Sequence, residues 1–235
     1  MYKLSNSILI IVFFGVLLNS CSKDINQNNN IFKYNEYSNI SSLDPAFSST
    51  LRNIWPVNQI FNGLVQLNDK LEIKPDLASS WIISKDKKTY TFKIRNDVFF
   101  HESEHFGKKL TRKVNAKDFV YSFKRLLDSQ IASPGYWVFN NVQNFQAIND
   151  SVFEIKLIKE FDPFLGILSM KYCSVVPHEV VENLGVNFSK KPIGTGPFKF
   201  KKWDENIKLV LLKNKNYFEI DNTGTRLPYI DGVAI

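Results

Sequence analysis

The stretch from Leu77 to Leu127 constrains this chain more than any other part of it. Tyr90, Phe92 and Ile94 alternate with Thr91, Lys93 and Arg95, a period of two that predicts a strand with one buried face. Asp86-Lys87-Lys88 supplies a polar turn before it. Asn115 is placed to cap a helix, with Asp118 three residues on where the acid of a capping box sits. Phe119, Val120, Phe123, Leu126 and Leu127 then recur at helical spacing. With Leu77-Ala78-Ser79-Ser80-Trp81 read as a short helix, the stretch predicts a short helix, a hairpin and a second helix.

The flanking sequence mixes strands and helices without regular alternation, which predicts an α+β architecture rather than a doubly wound sheet. Phe32 to Ile40 is strand-like and is broken by the turn Leu43-Asp44-Pro45. Leu51, Ile54, Trp55, Ile60, Phe61 and Leu64 follow helical spacing. Pro56 predicts a kink or restart within that run, and Gly63 a stop after it. Hairpins are expected around Asn68-Asp69-Lys70 and Asp204-Glu205-Asn206. Short helices are expected over Pro163 to Met170, opened by Asp162, and over Pro177 to Leu184, closed by Gly185. Val152 to Leu157 alternates as a strand with Phe153, Ile155 and Leu157 inward, and Cys173 to Val176 and Tyr229 to Ile235 also read as strands. A chain of 235 residues that is 44% hydrophobic buries a core easily. Its net charge of +7 comes from dispersed Lys and Arg, so there is no clustered footprint for nucleic acid.

Residues 1–20 read as a secretory signal peptide. Lys3 is its basic start, and Ile8 to Leu18 is an apolar run of about eleven residues, short of the roughly 20 that a membrane span needs. Leu18-Asn19-Ser20-Cys21 resembles a bacterial lipobox, which makes Cys21 the lipidation site. Residues 21–31 are a polar, Asn-rich tether. No C-x-x-C spacing suggests zinc or redox chemistry.

His101-Glu102-Ser103-Glu104-His105 fits H-E-x-x-H, which on a helix aligns two zinc ligands with a basic glutamate. Phe99-Phe100 before it and Gly107-Lys108-Lys109 after it place the motif on a polar hairpin turn instead. Gly194-Thr195-Gly196 lies between Pro192 and Pro197, without the Lys of a P-loop. It reads as a tight crossover turn. Cys173 reads as packed, and His178 as a surface residue in a first helical turn.

Three blocks in order carry a resemblance. Leu77-Ala78-Ser79-Ser80-Trp81 leads into Tyr90-Thr91-Phe92-Lys93-Ile94-Arg95 and on to Asn115-Ala116-Lys117-Asp118-Phe119-Val120-Tyr121-Ser122; Pro192-Ile193-Gly194-Thr195-Gly196-Pro197-Phe198 follows, and Leu43-Asp44-Pro45-Ala46 precedes. Together they resemble the family 5 extracellular solute-binding proteins, the oligopeptide-, dipeptide- and nickel-binding components of ABC importers. The resemblance runs from about Phe32 to Ile235. It implies a periplasmic-binding-protein type II-like fold, with first-lobe segments at 32–62 and 190–235 and a small inserted domain at 63–189. Members are usually considerably longer and carry a second lobe that closes over the ligand. The chain therefore reads as the N-terminal half of such a protein, a fragment or truncated copy with the second lobe missing, and weak ligand capture is expected of it alone.

The resemblance also implies that Asn39, Ile40 and Ser41 pair through their main chain with an extended ligand, as an added strand would. Tyr136 and Trp137 are the aromatics offered to the same cleft. Asn39 stands where peptide-binding relatives often have an acid. The implied partners are a peptide or similar extended solute, ABC permease subunits, and a membrane through the lipid anchor at the cell envelope, facing periplasm or exterior. No cofactor is implied. Two rival readings remain: a small zinc metalloprotease using His101, Glu102 and His105, and a stand-alone structural lipoprotein.

Overall fold

The structure is a computed structural model and describes residues 30–235; the expected signal peptide at 1–20, the expected lipidation site Cys21 and most of the expected tether at 21–31 lie outside the described residues. Ten strands form three sheets: β1 (Ile31–Lys33), β2 (Val65–Leu67), β3 (Ile73–Pro75), β4 (Ala78–Ile83), β5 (Thr89–Ile94), β6 (Val142–Asn149), β7 (Val152–Leu157), β8 (Phe198–Asp204), β9 (Lys208–Lys213) and β10 (Gly232–Ala234). Among the described residues four α-helices accompany them: α1 (Leu51–Ile60), α2 (Ala116–Leu127), α3 (Phe164–Leu168) and α4 (His178–Leu184). One sheet has the order β1-β10-β9-β8, with β1 parallel to β10 and the other pairs antiparallel. A second, fully antiparallel, has the order β4-β5-β7-β6, and β2-β3 is a separate ribbon.

The second sheet follows the predicted alternation. Tyr90, Phe92 and Ile94 of β5 and Phe153, Ile155 and Leu157 of β7 are buried on one face. Helix α2 lies across that face. Its Phe119 and Phe123 rings sit 5.7 Å and 5.5 Å from Phe153, and Phe123 is 4.8 Å from Phe139. Asn115 and Asp118 form the predicted capping box. Asp118 also takes Arg112 at 2.7 Å, and the same guanidinium reaches Glu179 of α4 at 2.5 Å. One arginine thus ties the two helices together.

Two hydrophobic clusters share the core. One gathers the second sheet, α2, α3 and the β2 end of the ribbon. The other packs Val57, Ile60 and Phe61 against Leu209, Leu211 and Val233 of the first sheet, and Val176, Val180, Val181 and Phe188 join it.

Several elements differ from the sequence expectation, each for a local reason. Residues 77–81 are not a helix: Ala78–Ile83 is strand β4, with Trp81 opposite Phe92. A five-residue run is too short to hold a helix by itself, and pairing with β5 decides its state. The N-terminal strand covers only Ile31–Lys33, paired with Gly232–Ala234 of β10. Pro56 does not restart α1, which runs as one helix from Leu51 to Ile60; its missing N–H takes the i→i−4 donor from the Arg52 carbonyl. The helix closes on an extended Phe61 rather than at Gly63. Lys171–Cys173 is a 3-10 turn where a strand was expected. Asp162 does not cap α3 and instead pairs with Lys87 at 2.9 Å. The hairpin turns at 68–72 and 204–207, the Gly185 stop and strand β10 fall where expected.

Candidate ligand-binding site

Asn39, Ile40 and Ser41 form a segment without helix or strand on the surface, held from the first turn of α1. The Ser41 N–H donates to Asn53 Oδ1 at 3.0 Å, Asn53 Nδ2 donates to Ser41 Oγ at 2.9 Å, and Arg52 Nη1 donates to Ser38 Oγ at 2.6 Å. Among the described residues, no hydrogen bond uses the main-chain N–H or C=O of Asn39 or Ile40. Ile40 packs its side chain on the second cluster. The segment is therefore anchored at Ser41, while the backbone of Asn39 and Ile40 stays free, which is what strand addition requires.

Tyr136 and Trp137 open a 3-10 turn, Tyr136–Phe139, and are 56% and 44% exposed. Buried Val138 and Phe139 root that turn in the core. The loop before it is fixed by Ser133 Oγ, which donates to the Ala46 carbonyl at 2.6 Å and accepts from the Gly135 N–H at 3.0 Å. Both groups of residues are thus tied to the segment between Ser41 and Asn53, one at Asn53 and the other at Ala46. No hydrogen bond or aromatic contact joins Tyr136 or Trp137 to Asn39, Ile40 or Ser41. A groove of about 780 Å³ includes Asp44, Phe47, Tyr121, Arg125, Ile131 and Ser189 in its lining, and none of the five expected residues lines it.

The groove exposes what sequence reasoning missed. Asp44, read as a turn residue, forms a two-bond pair with Arg125 at 2.7 Å and 3.1 Å. The residues are 81 positions apart, and no local pattern links them. Asp44 Oδ1 also accepts the Ala46 N–H at 3.0 Å.

The H-E-x-x-H segment is not helical through His101 and Glu102; a 3-10 segment begins at Glu104. His101 is buried, which corrects the expectation of an exposed turn. Both its ring nitrogens face backbone: Nε2 lies 2.9 Å from the Gly196 carbonyl, and Nδ1 is 3.4 Å from the Gly194 N–H. Its own N–H donates to the Gly194 carbonyl at 2.7 Å. Occupied in this way, the imidazole pins the Gly194-Thr195-Gly196 turn and has no lone pair left for a metal. Among the described residues no group of three or more His, Cys, Asp or Glu side chains is placed to hold one. Cys173 is buried and free, and burial pushes its thiol up to about 12.

Two buried titratable groups flank the turn and act in opposite directions. Burial pushes His101 down from 6.5 to about 4. Asp76 accepts from Asn62 Nδ2 at 2.9 Å and from the Gly63 N–H at 3.0 Å, yet its burial outweighs these donors and nearby Lys171 and pushes it from 3.8 to about 7. Between about pH 4 and 6.5 the fold binds fewer protons at His101 than the unfolded chain does, so this group makes stability rise with pH. Between about 4 and 7 the fold binds more at Asp76, so that group makes stability fall as pH rises. Each effect is on the order of 3 kcal/mol over its window. His101→Gln is expected to leave a melting temperature that declines from pH 4 to 7, and Asp76→Asn one that climbs. Identical pH slopes in thermal melts of the two variants would contradict the assignment.

Residues 72–235 match a family model described as bacterial extracellular solute-binding proteins, family 5 Middle. The chain is 30% identical over 179 residues to di/tripeptide-binding protein 1 of Pseudomonas aeruginosa strain UCBPP-PA14, which covers 69% of this chain and 33% of that protein. It is 30% identical over 178 residues to heme-binding protein A of Haemophilus influenzae, covering 68% and 32%. Among solved structures, the DppA periplasmic binding protein of Helicobacter pylori, in complex with the peptide STSA, superposes with a TM-score of 0.77 at 30% identity, over 87% of this chain and 42% of that one. NikZ of Campylobacter jejuni, in complex with Ni(L-His), gives 0.73 at 28% identity over 90% and 39%. The chain spans about a third of the length of the curated relatives it matches.

Proposed function

Because the chain belongs to the family 5 bacterial extracellular solute-binding proteins, we propose that it contributes to solute capture for an ABC importer and binds an extended, peptide-like ligand without covalent chemistry. The ligand lies along Asn39, Ile40 and Ser41 as an added strand, and Tyr136 and Trp137 supply aromatic surface at its side. The observation that carries this reading is the unpaired backbone of Asn39 and Ile40, held open by Asn53 and Arg52. The likeness to a DppA solved with a tetrapeptide supports it.

In this reading residues 32–62 and 190–235 make the first lobe and 63–189 the small inserted domain, with Val176 to Phe188 packed on the first-lobe cluster. A second lobe of the kind found in the family closes the cleft, and permease subunits receive the solute. Cys21, after a signal peptide at 1–20, carries the lipid that holds the protein at the envelope, facing the periplasm or exterior. No helix among the described residues is long and apolar enough to cross a membrane.

A photoreactive tetrapeptide incubated with the chain tests the site. Crosslinks are expected on the peptides containing Asn39–Ser41 and Tyr136–Trp137. Asn39→Pro, which removes a free donor at an exposed side chain, is expected to cut labelling at least fivefold with an unchanged melt. Labelling confined to other segments would sink the assignment.

A further inference from the structure

A cavity of about 470 Å³ opens at the other end of α1, with Asn58 and Gln59 on its rim. Arg52 and Asn53, which hold the candidate ligand segment, lie at the first turn of the same ten-residue helix. A helix of that length spans about 15 Å, so the cavity is separate from the proposed peptide face.

Its charged lining is Asp76, Lys171 and Glu219. Both oxygens of Asp76 are already engaged, by Asn62 and by the Gly63 N–H. Neither of the other two closes an ion pair: Asp76 shares the cavity with Lys171, but burial pushes its carboxyl up to about 7, so it offsets the ammonium only in part. Lys171 makes no ion pair and no side-chain hydrogen bond among the described residues. Glu219 accepts the Gln66 amide at 3.0 Å and meets no cation. An ammonium and a carboxylate therefore face one small space, and neither neutralises the other. Water can hydrate each group but cannot cancel its charge, and both stand beside apolar surface where an unpaired charge is costly. That surface is Phe198, Ile230 and Leu227. It continues into an adjoining apolar groove of about 390 Å³ that shares Phe198 and Ile230 and reaches Trp55.

We propose that this cavity binds a small zwitterion of the α-amino acid class with an apolar side chain. The ligand carboxylate pairs with Lys171, its ammonium pairs with Glu219, and its side chain packs on Phe198 and Ile230. A ligand bringing both charged groups on one carbon satisfies both protein groups at once. A cavity of this volume falls within the range of about 300–1,000 Å³ for small-molecule sites.

Isothermal titration of the full chain with L-leucine, 3-methylbutan-1-amine and 4-methylpentanoate tests this. The two analogues keep the side chain and delete the carboxylate or the ammonium. L-leucine is expected to saturate one site, with each analogue bound at least tenfold more weakly. Lys171→Met is expected to reduce L-leucine to the level of the amine, and Glu219→Gln to the level of the carboxylate. Trp137→Ala, on the proposed peptide face, is expected to leave L-leucine binding unchanged, so the two sites succeed or fail separately. Absence of saturable L-leucine binding at millimolar concentration overturns the proposal, as does equal affinity for the two analogues and the zwitterion. The comparison of the three ligands needs no variant, so a poorly folding substitution does not protect the idea.

Discussion

Gly196→Ala is expected to destabilise the protein by more than about 3 kcal/mol, above the usual cost of overpacking a core. A Cβ at Gly196 would stand 2.5 Å from the Gln59 carbonyl oxygen and 2.5 Å from the Ile60 carbonyl carbon. Those are backbone atoms at the end of α1, and they cannot turn aside as a side chain would. The turn cannot retreat either. The Gly196 N–H donates to Ile60 O at 2.8 Å, and the Gly196 carbonyl faces His101 Nε2 at 2.9 Å and accepts from Asn214 Nδ2 at 3.0 Å. Relief of the clash therefore breaks at least one of these bonds in a buried site, adding the cost of an unsatisfied polar group. A domain of about 200 residues shifts its Tm by roughly 2–4 °C per kcal/mol, so a drop of about 6–12 °C is expected in a thermal melt. Gly166→Ala is the matched control. Nothing lies within 4 Å of a Cβ there, the residue is inside α3, and alanine favours a helix over glycine by up to about 1 kcal/mol. It is expected to leave the melt unchanged or raise it. Equal effects at the two glycines would mean that close approach to α1 is not what the turn requires.

That turn also marks where sequence reading succeeds and where it stops. Gly194-Thr195-Gly196 between prolines was legible as a tight crossover, because glycine, threonine and proline act on the local backbone. Its partner in space, the carbonyl end of α1 more than 130 residues earlier, leaves no local trace. Periodicity found β5, β7 and α2, whose apolar faces repeat at two or at helical spacing. It misassigned Leu77–Trp81, where Leu77, Ala78 and Trp81 suit either period and only the ladder with β5 decides. His101 was read as exposed because its neighbours Glu102, Ser103 and Glu104 are polar. Its burial comes from contacts with Gly194 and Gly196, 93 and 95 residues away. For the candidate site, the turn at Leu43-Asp44-Pro45 that follows Asn39 to Ser41 was visible in the sequence, whereas the clamp from Asn53 and the anchoring of the Tyr136 loop at Ala46 belong to the tertiary fold.

Asp44→Ala is expected to cost about 3–5 kcal/mol, the penalty for breaking a buried ion pair from one side. Asp44 and Arg125 have side chains only 5% and 11% exposed. Removing the carboxylate strands the guanidinium, and Arg125 Nε already lacks a partner among the described residues. The neighbouring Phe188 ring, 5.7 Å from the guanidinium carbon, offers only a weak cation–π substitute. The mutation also deletes the acceptor for the Ala46 N–H and so loosens the turn that carries the chain from Ser41 to α1. Arg125→Leu alone is expected to cost less, because Asp44 keeps that N–H and the Ser42 region stays folded around it. The double variant Asp44→Ala/Arg125→Leu removes both charges and is expected to recover much of the loss, since replacing a buried pair by apolar groups is often nearly neutral. Chemical denaturation of the three variants gives the coupling energy directly. A double variant as unstable as the sum of the singles would show that Asp44 acts through the turn rather than through Arg125. An Asp44→Ala cost below about 1 kcal/mol would show that neither role holds the Asp44 turn against α2.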